Sequence, residues 1–223
     1  MEIKRIIGGI LMANCYIISP SGNPDNAKAS GPGKAAAAKI PCYIIDPGYD
    51  PHKIIKYIKD GGFSPEGILL THHHVDHSGN AAYLRKELDC PIMIHREDAD
   101  RFREGADVLL EDGDVLELTA ADSTGRGLKL QVLHTPGHTR GGICLMSERE
   151  RVCFTGDTIF NVDLGRTDLE DGSYEEMVRS IMDVINNWEN DIIIYPGHGD
   201  PATMKTVRKI NLEFLEILEN YSN

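Results

Sequence analysis

Four of the nine histidines fall in one short segment of the chain. Residues 71–77 run Thr-His-His-His-Val-Asp-His, directly after an apolar run at 67–71 and before a helical pattern at 80–88. The imidazole nitrogen and the carboxylate oxygen are ligands that suit Zn²⁺ in proteins. Several such groups between a strand and a helix are hard to explain as ordinary surface side chains. The segment therefore predicts a metal site at the end of a buried strand.

The spacing within this segment indicates which side chains share a face. A chain that leaves a strand in extended form directs residues i and i+2 to the same side, so His72 and His74 can point together while His73 points away. Asp76 and His77 lie where the helix begins, and the chain can turn them back toward the same point. We therefore expect four ligands here, and we expect His73 not to be one of them.

Three further segments repeat the design of an apolar strand that ends in a ligand on a tight turn. Glycine and proline at these strand ends permit sharp turns and a close approach of the backbone to a site. Each segment alone is weak evidence, but together they supply the remaining ligands of the predicted site. They are TPGH at 135–138, GDT at 156–158 and PGHG at 196–199, which offer His138, Asp157 and His198.

The other histidines have simpler explanations. His134 ends a strand just before the TPGH turn, where a structural hydrogen bond is expected in preference to a metal bond. His52 and His95 are expected on the surface or at the start of a helix. These three are therefore left out of the predicted site.

The rest of the chain alternates short apolar runs with helical patterns, which is typical of a layered α/β architecture. No linker divides it, so we expect one domain over 1–223. Residues 19–41 are rich in Gly, Pro, Ala and Ser, so they are expected to form a loop insertion, with a lid over the site as an alternative. The expected strands are 3–10, 15–18, 42–45, 67–71, 92–95, 115–118, 128–134, 143–146, 152–155 and 192–195, and the expected helices are 52–59, 80–88, 97–103, 173–187 and 203–221.

Composition limits the partners and the compartment. The chain has 35 acidic and 23 basic side chains and a formal net charge of −12, which argues against a nucleic acid or an anionic membrane as partner. No apolar run approaches the length of a membrane span, and the first residues lack the pattern of a signal peptide. Five cysteines without a C-x-x-C pair suit free thiols in a reducing cytoplasm.

The combined pattern of these ligands resembles that of a known family. The order His-x-His-x-Asp-His at 72–77, then His138, Asp157 and His198, is similar to the metallo-β-lactamase superfamily. Within it, the segments THHHVDHSGN, TPGHTRGG, FTGDTIF and PGHG resemble the hydroxyacylglutathione hydrolase (glyoxalase II) branch. The resemblance runs from about residue 12 to residue 198, which is most of the chain.

The resemblance implies a fold and a set of metal ligands. The fold would be an α/β (α+β) four-layer αβ/βα sandwich, with two zinc ions at one edge and iron or manganese as alternatives. Asp157 would bridge the two metals, and Asp46 would support the site from behind it. The first metal would take His72, His74 and His138, and the second would take Asp76, His77 and His198.

The resemblance also implies a hydrolase. A metal-bound hydroxide would attack a thioester carbonyl, and the catalytic residue Asp76 would accept a hydrogen bond from the hydroxide and orient it, as well as bind the metal. No separate general acid is evident, which a thiolate leaving group would not require. Arg166 either binds the carboxylate of a small anionic substrate or is an ion-paired loop residue. The acyl and thiol parts of the substrate and the oligomeric state stay open.

Three alternatives stay open beside this hypothesis. A lactone hydrolase could use the same scaffold. A persulfide dioxygenase would bind one iron ion through His72, His138 and Asp157, and such enzymes also resemble this chain. A non-catalytic protein could use the metal for structure alone, but a structural zinc needs only four ligands, which argues against this alternative.

Overall fold

The computed structural model describes residues 1–20, 39–119 and 127–221, and these form two six-stranded sheets. Most of the loop insertion expected at 19–41, with its alternative role as a lid, lies outside the described residues. The first sheet has the order β1-β2-β3-β4-β5-β6, with β1 (Glu2–Gly8), β2 (Ala13–Ser19), β3 (Ile40–Ile45), β4 (Phe63–Leu70), β5 (Ile92–His95) and β6 (Val108–Leu110). The second has the order β12-β11-β10-β9-β8-β7, with β7 (Val115–Leu118), β8 (Leu128–His134), β9 (Ile143–Ser147), β10 (Val152–Gly156), β11 (Ile193–Pro196) and β12 (Ala202–Thr203).

Helices cover the outer faces of both sheets. The first sheet carries α1 (Pro51–Gly61) and α3 (Ala81–Leu88), with the one-turn helix α2 (Val75–Ser78) between them along the chain. The second sheet carries α4 (Tyr174–Arg179), α5 (Met204–Ile210) and α6 (Leu212–Tyr221). In α1, Ile54 and Ile58 lie four residues apart and are buried, as the 3.6-residue period requires of an inward face. The helix ends where Gly62 adopts a left-handed conformation at φ 68°.

Three apolar layers separate these four layers of secondary structure. Strand β2 shows how one strand serves two of them, because successive side chains point to opposite faces. Cys15 and Ile17 pack toward the helices of the first sheet, whereas Tyr16 and Ile18 pack into the layer between the sheets. A third layer lies between the second sheet and its helices, and includes Phe214. The expected four-layer αβ/βα sandwich is confirmed.

The direction of the strands brings the predicted site to one edge of this sandwich. Strands β3, β4 and β5 run parallel, so their carboxyl ends share one edge of the first sheet. In the second sheet, β8 and β10 are each antiparallel to β9, and β10 is parallel to β11, so all three also end on one side. The segments expected to carry ligands follow β4, β8, β10 and β11 directly.

The structure corrects two predicted helices. The helix expected at 97–103 is a single 3₁₀ turn at Arg96–Asp98. The helix expected at 203–221 breaks at Asn211, which is fully buried. The side-chain Nδ2 of Asn211 donates to the carbonyls of Phe160 and Asp163, and its Oδ1 accepts from the backbone amide of Phe214. These bonds compete with a continuous helix at this position.

Candidate metal centre

The seven predicted ligands converge at the shared edge. Side-chain donor atoms lie within 4.8 Å of one another in two of the predicted groups, His72–His74–His138 and Asp76–His77–His198. A third such group contains Asp46, His72 and His77. Each group joins residues from different strand-end segments. The described residues at this edge could therefore hold more than one metal ion.

Two close nitrogen pairs define the two halves of the site. His74 Nδ1 lies 2.9 Å from His138 Nε2, and His77 Nε2 lies 3.2 Å from His198 Nε2. Two buried atoms at the centre, His72 Nε2 and Asp157 Oδ1, have no hydrogen-bond partner in the described structure. Buried polar atoms are normally paired, so these orphaned lone pairs fit a cation. The set of imidazole and carboxylate donors suits a transition-metal ion such as zinc or iron.

Asp157 lies between the two halves. Its Oδ1 is 3.4 Å from His77 Nε2, and its Oδ2 is 3.6 Å from His138 Nε2 and 3.5 Å from His198 Nε2. One oxygen thus faces the second group alone, and the other faces both. Asp157 therefore contacts both groups of predicted ligands.

In most of the predicted histidine ligands, the ring nitrogen that points away from the centre makes a hydrogen bond. Such bonds fix the tautomer and the orientation of a histidine toward a metal. The ring nitrogens and their partners are His72 Nδ1 with Thr71 Oγ1 at 3.1 Å, His77 Nδ1 with Asp46 Oδ2 at 3.1 Å, His138 Nδ1 with the Arg166 carbonyl at 2.8 Å, and His198 Nδ1 with the Leu11 carbonyl at 3.0 Å. The opposite nitrogen of each ring faces the centre.

Asp46 supports the site from the end of β3. Its carboxylate accepts from the Thr71 amide at 2.8 Å and the Thr71 hydroxyl at 2.6 Å as well as facing His77. The residue adopts φ 51°, a left-handed conformation that non-glycine residues seldom take. The Asp46 carboxylate therefore joins Thr71 and His77 by hydrogen bonds, and its supporting role stays a prediction.

Replacement of Asp46 by alanine should lower the free energy of unfolding by about 3 kcal/mol, since it leaves buried donors of Thr71 and His77 unpaired. Urea denaturation measures this loss. Asp50→Ala is the matched control, because Asp50 also has φ 51° and its carboxylate binds the exposed Lys53. Equal losses in the two variants would show that the backbone conformation, and not the hydrogen bonds, determines the effect.

Two histidines of the first group, His72 and His74, stay neutral. Burial, followed by the neighbouring ring of His77, holds the pKa of His72 well below its usual value. Burial and the ring of His138 lower the pKa of His74 to about 4. Neutral imidazole is the form that binds a metal, so this half presents free lone pairs at neutral pH.

The second group is dominated by carboxylates. Burial opposes charge on His77, but the carboxylates of Asp157, Asp46 and Asp76 outweigh it and raise its pKa to about 9. Hydrogen bonds to Asp157 and Asp76 raise the pKa of His198 to about 10. Burial would raise the pKa of Asp76, but His198 and His77 lower it to about 2. This half favours positive charge, which a divalent cation would supply.

Arg166 and three of the other histidines of the sequence make contacts outside the two ligand groups. The Arg166 side chain is exposed, and its Nε and Nη2 donate hydrogen bonds to the two carboxylate oxygens of Asp168, at 2.8 and 2.9 Å. His134 makes a hydrogen bond to the Arg140 carbonyl at 2.8 Å, so the predicted structural role is confirmed. His52 lies exposed in the first turn of α1. His95 precedes the 3₁₀ turn, but it is buried and stacks on His134, so a surface position is wrong for it.

Sequence reasoning missed Asp98. This residue is 1% exposed and binds His73, the histidine expected to point away from the metal. The available signal was its position, because it follows β5 at the same edge as Asp46 and the histidine-rich segment. The sequence predicts a helix at 97–103, and a helix there gives no reason to expect contact between Asp98 and His73.

Comparison with known proteins identifies a family and several relatives of the chain. The family model of the metallo-beta-lactamase superfamily matches residues 41–198, more than two thirds of the chain. An uncharacterized protein of Mycobacterium tuberculosis (strain ATCC 25618 / H37Rv) is 32% identical over 97% of this chain and 98% of its own. Hydroxyacylglutathione hydrolase GloC of Haemophilus influenzae is 33% identical over 75% of this chain and 84% of its own.

Solved structures share the fold. BLEG-1 B3 metallo-beta-lactamase superposes with a TM-score of 0.76 at 26% identity, covering 94% of this chain and 98% of that one. TTHA1623 in a di-iron-bound form superposes with a TM-score of 0.70 at 25% identity, covering 93% of this chain and 98% of that one. ETHE1 from Myxococcus xanthus superposes with a TM-score of 0.73 at 21% identity, covering 100% of this chain and 92% of that one. At this identity the likeness is evidence for the fold alone. Because this family model covers residues 41–198, which include the strand-end donor side chains from His72 to His198, the chain belongs to the metallo-beta-lactamase superfamily.

Proposed function

We propose that this protein is a metal-dependent hydrolase that cleaves a thioester, in the manner of a hydroxyacylglutathione hydrolase. The observation that carries the proposal is the pair of orphaned, buried atoms, His72 Nε2 and Asp157 Oδ1, at the meeting point of seven donor side chains. The similarity to GloC over three quarters of the chain supports the thioester. The wider class, hydrolysis dependent on a metal, is supported by the Bacillus subtilis relative named a probable metallo-hydrolase, at 33% identity.

The proposed ligand sets follow the two halves of the site. His72, His74 and His138 would hold one ion, and Asp76, His77 and His198 the other, with Asp157 shared. Zinc is the proposed metal, and iron or manganese are the alternatives; the neighbour TTHA1623 binds two irons. When bound, such ions supply Lewis acidity that activates water at neutral pH and polarises a carbonyl.

The chain's own residues then position the reactants. Asp76 is half-buried and faces the centre, where its Oδ2 lies 3.3 Å from His198 Nε2. The low pKa of Asp76, about 2, keeps its carboxylate ionised, so it can accept a hydrogen bond from the attacking water and orient it. A thiol has a pKa of about 8.5, so a thiolate leaves without a general acid.

The proposed substrate is small and anionic, and we propose Arg166 as the residue that binds its carboxylate. Arg166→Met should then raise KM for an acidic thioester by about tenfold, with kcat little changed, because one charge-assisted pair is lost. Steady-state kinetics on acidic and neutral thioesters measure this. Asp168→Asn is the control, since it frees the guanidinium from its present partner and should leave KM equal or lower. Equal KM values in wild type and Arg166→Met would leave Arg166 as an ion-paired loop residue.

Metal analysis and a substrate panel test the proposed function. Protein purified without added metal should contain about two zinc equivalents and should hydrolyse S-D-lactoylglutathione in preference to lactones and β-lactams. A single iron with oxygen uptake on glutathione persulfide would support the dioxygenase alternative. Preferential lactone turnover would support the lactone hydrolase. Bound zinc without turnover of any of these substrates would favour a structural role for the metal.

The setting of this activity is also a proposal. We propose that 1–223 acts as one domain in a reducing cytoplasm, without a nucleic acid or membrane partner. All five cysteines are buried free thiols, which supports a reducing compartment. No helix in the described part of the chain has the length and apolar character needed to cross a bilayer.

A further inference from the structure

Asp98 is a buried carboxylate outside the proposed ligand set. It closes the 3₁₀ turn that follows β5 and is 1% exposed. Four hydrogen bonds converge on it, from the His73 amide at 2.9 Å, His73 Nδ1 at 3.0 Å, the Thr139 hydroxyl at 2.9 Å and the Gly141 amide at 2.6 Å. A buried carboxylate is costly unless it is fully hydrogen-bonded, and this one is.

The four donors belong to two segments that carry ligands of the first group. His73 lies between His72 and His74 in the segment after β4, in the first sheet. Thr139 and Gly141 follow His138 in the segment after β8, in the second sheet. The Asp98 carboxylate therefore connects the two halves of the sandwich at the point where their ligands meet.

The approach of the second segment to Asp98 is very close. A Cβ atom at Gly141 would lie 2.5 Å from the Asp98 amide nitrogen and 2.7 Å from its Oδ1. Glycine at this position thus permits the backbone to reach the carboxylate. Charge-assisted hydrogen bonds at this distance are short and directional, so they fix the relative position of the two segments.

The connection continues to a third segment. His73 Nε2 lies 3.8 Å from Asp171 Oδ2, and Asp171 binds Arg101 at 2.7 Å. Asp171 follows Arg166, whose carbonyl holds the ring of His138 at 2.8 Å. The imidazole of His73 thus lies between Asp98 and the segment that orients the third ligand of the first group.

We propose that Asp98 is a positioning residue for the first metal: it sets the distance between the His72–His74 pair and His138, and thereby the affinity of that site. The inference rests on the proposed function, because it assumes that these three histidines bind a metal. Each donor to Asp98 lies within three residues of a ligand, so a shift of a segment by a fraction of an ångström moves a ligand nitrogen. Outer partners of this kind change metal affinity by roughly 10- to 100-fold.

Zinc titration against a chelator tests the inference. In wild type we expect two binding steps, and in Asp98→Asn we expect one step to weaken roughly 10- to 100-fold while the other changes little. Asp107→Asn is the matched control, since Asp107 also binds a backbone amide next to β5, that of Ile92 at 2.9 Å, and does not touch either ligand segment. Circular dichroism and urea denaturation show whether each variant is folded.

A second pair of variants covers the case in which Asp98→Asn does not fold. Thr139→Val removes one of the four donors at nearly constant volume, and Thr139→Ser restores it. We expect Thr139→Val to weaken the same zinc step severalfold and Thr139→Ser to return it to the wild-type value, whereas a role in stability alone would leave both zinc steps unchanged.

The outcomes separate the two proposals. If wild type binds two zinc ions and hydrolyses a thioester, but the folded Asp98 and Thr139 variants bind zinc as tightly as wild type, the role of Asp98 is overturned and the proposed function stands. If wild type binds no metal, both are overturned. Selective weakening of one step, with the Asp107→Asn control unaffected, supports the role of Asp98.

Discussion

Replacement of Asp157 by alanine should lower hydrolysis of a thioester by more than about 100-fold, because residues that only support metal ligands already cost 10- to 100-fold. Asp157 is the carboxylate that faces both halves of the site. Its oxygens lie 3.4 Å from His77, 3.6 Å from His138 and 3.5 Å from His198. Its removal should therefore weaken both metal positions and not one of them.

Zinc equivalents and kcat/KM for S-D-lactoylglutathione, measured on the same preparation, check this prediction. Asp200→Asn is the control, since Asp200 is an exposed carboxylate two residues from His198 that pairs with Arg5. It should keep both zinc ions and nearly full activity. If Asp157→Ala retained wild-type turnover, the proposed mechanism would be wrong.

The positions of the seven donors could be predicted because the pattern that marks them is local. Each lies in a segment that follows an apolar strand, and the strands before these segments end on one side of their sheet. The periodicity of two in β2, with Cys15 and Tyr16 on opposite faces, likewise follows from neighbouring residues. The order of the strands could not be predicted, because the sequence alone does not determine which sheet a strand joins.

What could not be predicted depends on contacts between distant residues. Asp98 is 25 residues from His73 and 41 from Thr139, and no local pattern joins them. The break in the last helix depends on Asn211 binding carbonyls 48 and 51 residues away, while the apolar period runs through the break without change. Arg166 is a different case, because its pairing with Asp168 is local, yet the sequence leaves both a substrate carboxylate and a neighbouring acid as possible partners.

Replacement of Gly197 by alanine should weaken zinc binding by more than about 100-fold, because the added methyl group displaces two ligands at once. It should also lower the free energy of unfolding by about 1–3 kcal/mol, as overpacking of a buried site does. A Cβ atom at Gly197 would overlap Asp157 Oδ1 and lie 2.6 Å from His77 Cε1. The backbone cannot retreat, because the Gly197 amide donates to the Gly156 carbonyl and its carbonyl accepts from the Asn14 amide, each at 2.7 Å. The methyl group would therefore take space that the metal ligands need.

Gly199→Ala separates this clash from backbone strain. Gly199 has φ 75°, so alanine there costs about 1–2 kcal/mol of conformational strain, but its Cβ would meet no atom of the described chain within 4 Å. Urea denaturation in the presence of a chelator measures the two losses without a contribution from metal, and zinc titration then measures affinity. The two variants should be destabilised to a similar extent, yet only Gly197→Ala should lose zinc. Equal zinc affinity in both would mean that Asp157 and His77 can move aside without cost, and that their close approach to Gly197 does not define the metal centre.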